Sequence, residues 1–244
     1  MERRRILIVH PYDKSTSFLE RIKNYLQSEY ESDIHYFSIK PNDASHELCL
    51  KRIDGHSEKG LIIFLGHGRS DKLYGSKADK YSAFVSEEAV IECPELYYYN
   101  DNFINEKNIS VFKGKKIFCL SCNSREKLAQ YALENGVTSF LGFGDIPTSL
   151  SEFEDKEEKV TNDVVIKMKT ELNYIIKKSL SLSIAKGLTF EGLINHIQFI
   201  TQQRLTDVLT NQKSFKERYV LADFLYYLKN EIQIIGDRNA KLLE

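Results

Sequence analysis

The hydrophobic pattern of this chain switches between two periods. Ile6-Leu7-Ile8-Val9, Leu61-Ile62-Ile63-Phe64-Leu65 and Ile117-Phe118-Cys119-Leu120 are unbroken apolar runs, and residues 33–39 and 138–143 carry shorter or more mixed versions of them. Unbroken runs bounded by glycine or charge are the trace left by strands covered on both faces, as in a parallel sheet. Between them the apolar residues fall at helical spacing. Phe18, Leu19, Ile22, Tyr25 and Leu26 follow a Ser15 or Thr16 cap, Leu48, Leu50 and Ile53 follow Asn42-Asp43-Ala44-Ser45, and residues 125–135 form a helix stopped by Gly136. Strand and helix in alternation predict an α/β fold with a mainly parallel sheet, helices on both faces and functional groups at the carboxyl ends of the strands.

From residue 151 the helical period takes over. Val160, Val164, Val165, Met168, Leu172, Ile175 and Ile176 trace one stripe of a long helix, and two further helical patterns run over 189–212 and 214–231. Ile232-Gln233-Ile234-Ile235-Gly236-Asp237 then reads as a sixth strand returning to the sheet. The pattern predicts a single domain over 1–244, with residues 151–231 as a helical insertion before its last strand. Residues 69–110 fit neither period. They read as a loop-rich excursion with one short helix, leaving from the end of the 61–65 strand, where such segments shape substrate pockets or simply pack as an aromatic patch.

Composition narrows the function classes. A hydrophobic share of 42% with 28% charged residues fits an ordinary globular chain, and a net charge of -1 supplies no electrostatic reason to expect nucleic acid or an acidic membrane as partner. The basic start followed by Ile6-Leu7-Ile8-Val9 imitates a signal peptide, but its apolar core is shorter than the roughly seven to fifteen residues that export needs. With no membrane-spanning run, 4 cysteines imply free thiols in a cytoplasmic protein.

The chemistry gathers at two strand ends. The 61–65 run exits through Gly66-His67-Gly68 and the 116–120 run through Ser121-Cys122-Asn123-Ser124. Parallel neighbours would bring those ends to roughly 5 Å from each other, with His67 and Cys122 facing one pocket. A thiolate attacks a carbonyl carbon, and an adjacent imidazole takes the thiol proton and later delivers it to the leaving amine. The backbone N–H groups of Gly68 and Cys122 are placed to donate to the developing oxyanion. A helix starting directly after Cys122 would set its positive end beside the sulfur and favour the thiolate. His10 and Asp13, at the end of the first strand, would border the same cleft or serve only as turn residues.

These residues, in this order, resemble the caspase-like cysteine peptidases, the clan of caspases, gingipains and separases, and most closely the CHAT-type branch. The likeness is carried by Leu61–Gly68 with Leu73-Tyr74-Gly75, by Phe112-Lys113-Gly114-Lys115 leading into Cys119-Leu120-Ser121-Cys122-Asn123-Ser124, by Glu134–Gly142, and by Ile234-Ile235-Gly236-Asp237. It spans residues 5–240. The resemblance implies a caspase-like, doubly wound sheet in the strand order 2-1-3-4-5-6, His67 as general base and acid, Cys122 as nucleophile, and the Gly68 and Cys122 amides as oxyanion donors. It also implies no metal or other cofactor, a protein substrate, an activating or regulatory protein, and a role as a triggered effector, including in bacterial antiviral defence. Two positions depart from the pattern: Asp145 stands near where a Trp is usual, and Arg238 replaces the Pro after the last Gly-Asp. Asp145 would then line the first specificity pocket and favour a basic residue before the cut.

Other readings compete. Cys119-x-x-Cys122 with His46-x-x-Cys49 contains the ligands of a zinc site, but residues 119 and 122 on one strand point to opposite faces. A thioredoxin-like pair would begin a helix, whereas Cys119 lies within the strand. His35, His56 and the 154–159 charge cluster read as solvated, His196 as packing or surface, and Cys49 and Cys93 as ordinary thiols. A protein-interaction module that retains the fold and leaves the His/Cys pair unused is the alternative from a different functional class.

Overall fold

The computed structural model describes residues 5–78, 80, 86–147, 149–150 and 160–244. Residues 1–4 of the basic start, residues 82–85 and the 154–159 charge cluster lie outside the described residues. In chain order the strands are β1 (Ile6–Pro11), β2 (Ile34–Ile39), β3 (Leu61–Leu65), β4 (Gly68–Arg69), β5 (Lys72–Leu73), β6 (Ile104–Asn105), β7 (Lys116–Leu120), β8 (Ser139–Gly142) and β9 (Gln233–Gly236). The helices are α1 (Glu20–Tyr30), α2 (Asp43–Asp54), α3 (Glu87–Glu92), α4 (Pro94–Tyr97), α5 (Lys127–Glu134), α6 (Asn162–Ala185), α7 (Phe190–Asn211) and α8 (Arg218–Asn230). The fold is α/β. Its main sheet runs β2-β1-β3-β7-β8-β9, parallel throughout except for β9, which pairs antiparallel with β8.

The three central strands are buried along their whole length, which explains why they read as continuous apolar runs. Within each run, alternate residues serve opposite cores. Ile8, Ile63, Leu65, Phe118 and Leu120 meet α1, α6, α7 and α8 through Leu26, Met168, Leu193 and Leu225. Val9, Ile62, Phe64 and Cys119 face α2 and α5 through Ile53, Leu128 and Ala132. The helices from residue 162 onward therefore share the sheet's own core.

Four local readings change. The helix after β1 starts as a 3-10 turn, Lys14–Leu19, capped by Asp13, whose carboxylate accepts from Ser15 N–H; neither Ser15 nor Thr16 is the cap. On α2 the buried stripe is His46, Cys49 and Ile53, while Leu48 is 47% exposed. His10 belongs to a strand and is 3% exposed, so it is no surface turn residue. Residues 69–110 are also more ordered than expected: β4, β5 and β6 form a small antiparallel sheet, and α3 and α4 follow β5.

This excursion is latched over the carboxyl ends of β1 and β2. Lys77 N–H donates to the Tyr12 carbonyl at 2.8 Å, Ser76 Oγ to the Lys40 carbonyl at 2.8 Å, and Ser76 N–H to His46 Nε2 at 3.1 Å. His46 Nδ1 lies 2.7 Å from the Asn42 carbonyl, which fixes the proton there and leaves Nε2 as acceptor. A proton on Nε2 would face the Ser76 N–H. Burial depresses the pKa of His46, and that of His56 falls to about 4 for the same reason, so His56 is not a solvated residue.

Groups whose folded pKa is depressed below 6.5 bind fewer protons in the folded chain than in the unfolded one. Their contribution is complete above the unfolded value and is lost as pH falls toward the folded one. The melting temperature is therefore expected to drop between pH 6.5 and 4.5. His56 accounts for on the order of 2 kcal/mol, the linkage value being discounted because the residue is only half-buried. Melting curves across that range should be flatter for His56→Gln; a parallel displacement of the two profiles would remove His56 from the account.

Candidate active site

β3 and β7 are paired so that Leu65 stands beside Leu120. Two residues beyond each partner lie His67 and Cys122, so the register sets them side by side at the tips of strands spaced about 4.8 Å apart. Cys122 is partly buried against the core that holds Leu65 and Leu120. His67 and Cys122 line a single shallow cleft, open to solvent, with Leu120, Phe18, Leu19, Ile146 and Leu172.

The turn that carries Cys122 is pinned to the end of β8. Asn123 takes a φ of 53°, which asparagine tolerates, and its N–H donates to the Gly144 carbonyl at 2.8 Å. Ser124 Oγ donates to the Cys119 carbonyl at 3.0 Å and accepts from Phe143 N–H at 3.0 Å. Gly142 allows the crossing, since a Cβ there would lie 2.6 Å from the Arg125 nitrogen. These bonds hold residues 121–126 in turns, and α5 begins only at Lys127. The expected helix N-terminus beside the sulfur is therefore displaced down the chain.

His67 is held from its outer side. Ser15 Oγ donates to Asp13 Oδ1 at 2.6 Å, Ser15 N–H donates to the same oxygen at 2.9 Å, and Ser15 Oγ lies 2.6 Å from His67 Nε2. Because the hydroxyl spends its proton on the carboxylate, it accepts from Nε2–H, which makes Nδ1 the basic nitrogen. Asp13 Oδ2 stands 3.8 Å from Nε2, so a negative charge faces any imidazolium that forms; the His67 and Asp13 side chains are 27% and 13% exposed. Ser15 had no functional reading in the sequence, and its only signal was Asp-x-Ser directly after the first strand.

Gly68 begins the β4–β5 hairpin. Tyr74 N–H donates to the His67 carbonyl at 3.0 Å, so Gly68 and Leu73 form an antiparallel pair that exchanges no hydrogen bond, and Gly68 N–H points away from β5. A side chain at position 68 would collide with Ser121 Oγ and the Lys72 carbonyl. In the resting arrangement the Cys122 thiol donates to the Ile146 carbonyl at 3.3 Å.

The remaining candidates are dispersed. Asp145 is exposed, its N–H lying 3.4 Å from Glu231 Oε2, and Ile146 takes the position beside Cys122. His10 lines a neighbouring polar hollow with Tyr12, Lys14, Glu20 and Ser38, and Asp13 borders it too. Cys119 faces the core opposite Cys122, burial pushes the Cys119 and Cys49 thiols up to about 12, and both His46 nitrogens are engaged. Among the described residues, no three His, Cys, Asp or Glu side chains are grouped to hold a metal ion. No helix among them is long and apolar enough to cross a membrane. Comparison with protein-family models, curated proteins and solved structures finds no match.

Proposed function

We propose that this chain is a cysteine endopeptidase of the caspase-like kind, acting on a protein substrate through His67 and Cys122. The observation that carries the reading is the shared cleft: both residues line it at the tips of paired strands, and Asp13 and Ser15 fix the imidazole tautomer that a general base needs. The thiol proton passes to His67 Nδ1 as sulfur bonds to the substrate carbonyl carbon, whose π electrons move to oxygen. The C–N bond then breaks with transfer of that proton to the amine, and water hydrolyses the thioester and restores the thiol. The bond from the Cys122 thiol to the Ile146 carbonyl must be given up first. Phe18, Leu19, Ile146 and Leu172 offer the substrate an apolar wall, and Asp145 stands outside it.

Alkylation by iodoacetamide, followed site by site with mass spectrometry, tests the pair. Cys122 should react fastest, with a rate that falls about 10- to 100-fold in His67→Ala. Cys49 and Cys119 should stay silent because burial holds their thiols protonated, and exposed Cys93 should react slowly without regard to His67. If Cys122 reacts like Cys93 and ignores His67, the chain is better read as an interaction module.

A further inference from the structure

Cleavage by Cys122 puts a negative charge on the substrate oxygen, and the backbone offers two donors to it, the N–H groups of Cys122 and Gly68. Beside them lies a group that the resting structure does not use. Ser121 is 2% exposed and lines the cleft, and its Oγ is buried without a hydrogen-bond partner among the described residues. Its Oγ lies against Gly68, where an added Cβ would strike it. A buried hydroxyl with no acceptor weakens the fold, and the same volume filled by alanine would not. An oxygen that gains charge next to Gly68 N–H would supply the missing acceptor.

We propose that the Ser121 hydroxyl is a catalytic residue of the proposed reaction, the third donor to the oxyanion after the amides of Gly68 and Cys122. The inference rests on the peptidase reading. Ser121 forms and breaks no covalent bond; its O–H turns toward the oxygen as the sulfur–carbon bond forms and is released when the carbonyl is restored. The stabilisation exists only in the tetrahedral state, so it appears in kcat and not in KM.

Peptide aldehydes separate these roles, because their adduct with a thiol carries the oxygen in the same place, whereas iodoacetamide alkylates sulfur without forming any oxyanion. A panel of acetylated tripeptide aldehydes covering apolar, basic and acidic terminal residues would be titrated against wild type and Ser121→Ala, alongside iodoacetamide rates and melting temperatures. The expected result is aldehyde affinity about 10- to 100-fold weaker in Ser121→Ala, with the Cys122 alkylation rate preserved to within about two-fold. The melting temperature should be unchanged or higher, because the lost hydroxyl had no partner. Equal aldehyde affinity in the two proteins overturns the proposal, as does a loss accompanied by slower alkylation or a lower melting temperature, which would make Ser121 a support of the turn. Wild type that forms no adduct with any aldehyde overturns the peptidase reading itself, and Ser121 falls with it.

Discussion

Cys122→Ala is expected to lower peptide hydrolysis by roughly 10⁴-fold or more, because on the proposed mechanism no other group in the cleft can form the covalent intermediate. His67 would still be held by Ser15 and Asp13, and the N–H groups at 68 and 122 would remain, so what survives is binding without a nucleophile. The structural cost is small. Cys122 is only partly buried, and the S–H bond to the Ile146 carbonyl is worth about 0.5–1.5 kcal/mol at most. The melting temperature should therefore barely move while activity disappears, and that separation makes the result interpretable. The measurement is the rate at which new amino termini accumulate in a proteome-derived peptide library, read by mass spectrometry for wild type, Cys122→Ala and Cys122→Ser. Serine keeps an oxygen at the same place but is a weaker nucleophile, so it should fall between the other two. Cleavage that persists undiminished in the alanine variant would assign any activity to other residues, and the His67–Cys122 mechanism would be abandoned.

The parts of this site legible in the sequence were those carried by strands. β1, β3 and β7 lie between two helical layers, so each had to be apolar at every position, and the same burial forces their polar exits into view at Gly66-His67-Gly68 and Ser121-Cys122-Asn123. Once the strands are recognised as neighbours, the pairing of Leu65 with Leu120 brings the exits together without further information. The groups that tune the site were not legible, because each depends on a contact between segments. Ser15 looked like a helix cap; that role went to Asp13, and Ser15 was left to reach His67 across 52 positions. His46 could be buried only because the Ser76 N–H, 30 residues away, supplies its second hydrogen bond. The strands β4, β5 and β6 are two residues long, too short for any period to register, and are held by the latch to β1 and α2 more than by their own composition. The helix expected over 125–135 is present but begins only at Lys127 for a related reason: Ser124 spends its hydroxyl on Cys119 and Phe143, which stabilises a turn ahead of it.

Asp13→Asn is expected to cost roughly 10²-fold or more in kcat with little change in KM, an effect transmitted entirely through His67. The substitution isolates charge from shape. Asparagine Oδ1 can still accept from Ser15 N–H and Ser15 Oγ, as the aspartate oxygen does at 2.9 and 2.6 Å, so the cap of the Lys14–Leu19 turn survives. The second oxygen, 3.8 Å from His67 Nε2, becomes an NH2 group that presents hydrogens to an imidazolium instead of negative charge. Proton transfer from Cys122 to His67 then loses the carboxylate that favours it, while substrate contacts along Phe18, Ile146 and Leu172 are untouched. A positioning residue that works only through histidine should also be silent once the histidine is gone. In a double-mutant cycle, adding Asp13→Asn to His67→Ala should change kcat by less than about three-fold, although Asp13→Asn alone removes far more. Full additivity of the two losses, or a fall in melting temperature that accounts for the single-variant loss, would show that Asp13 serves the turn and not the imidazole. Ser15→Ala gives the complementary result: with the bridging hydroxyl removed, Nε2–H loses its acceptor at 2.6 Å, and kcat should fall by at least about 10-fold with the carboxylate still in place.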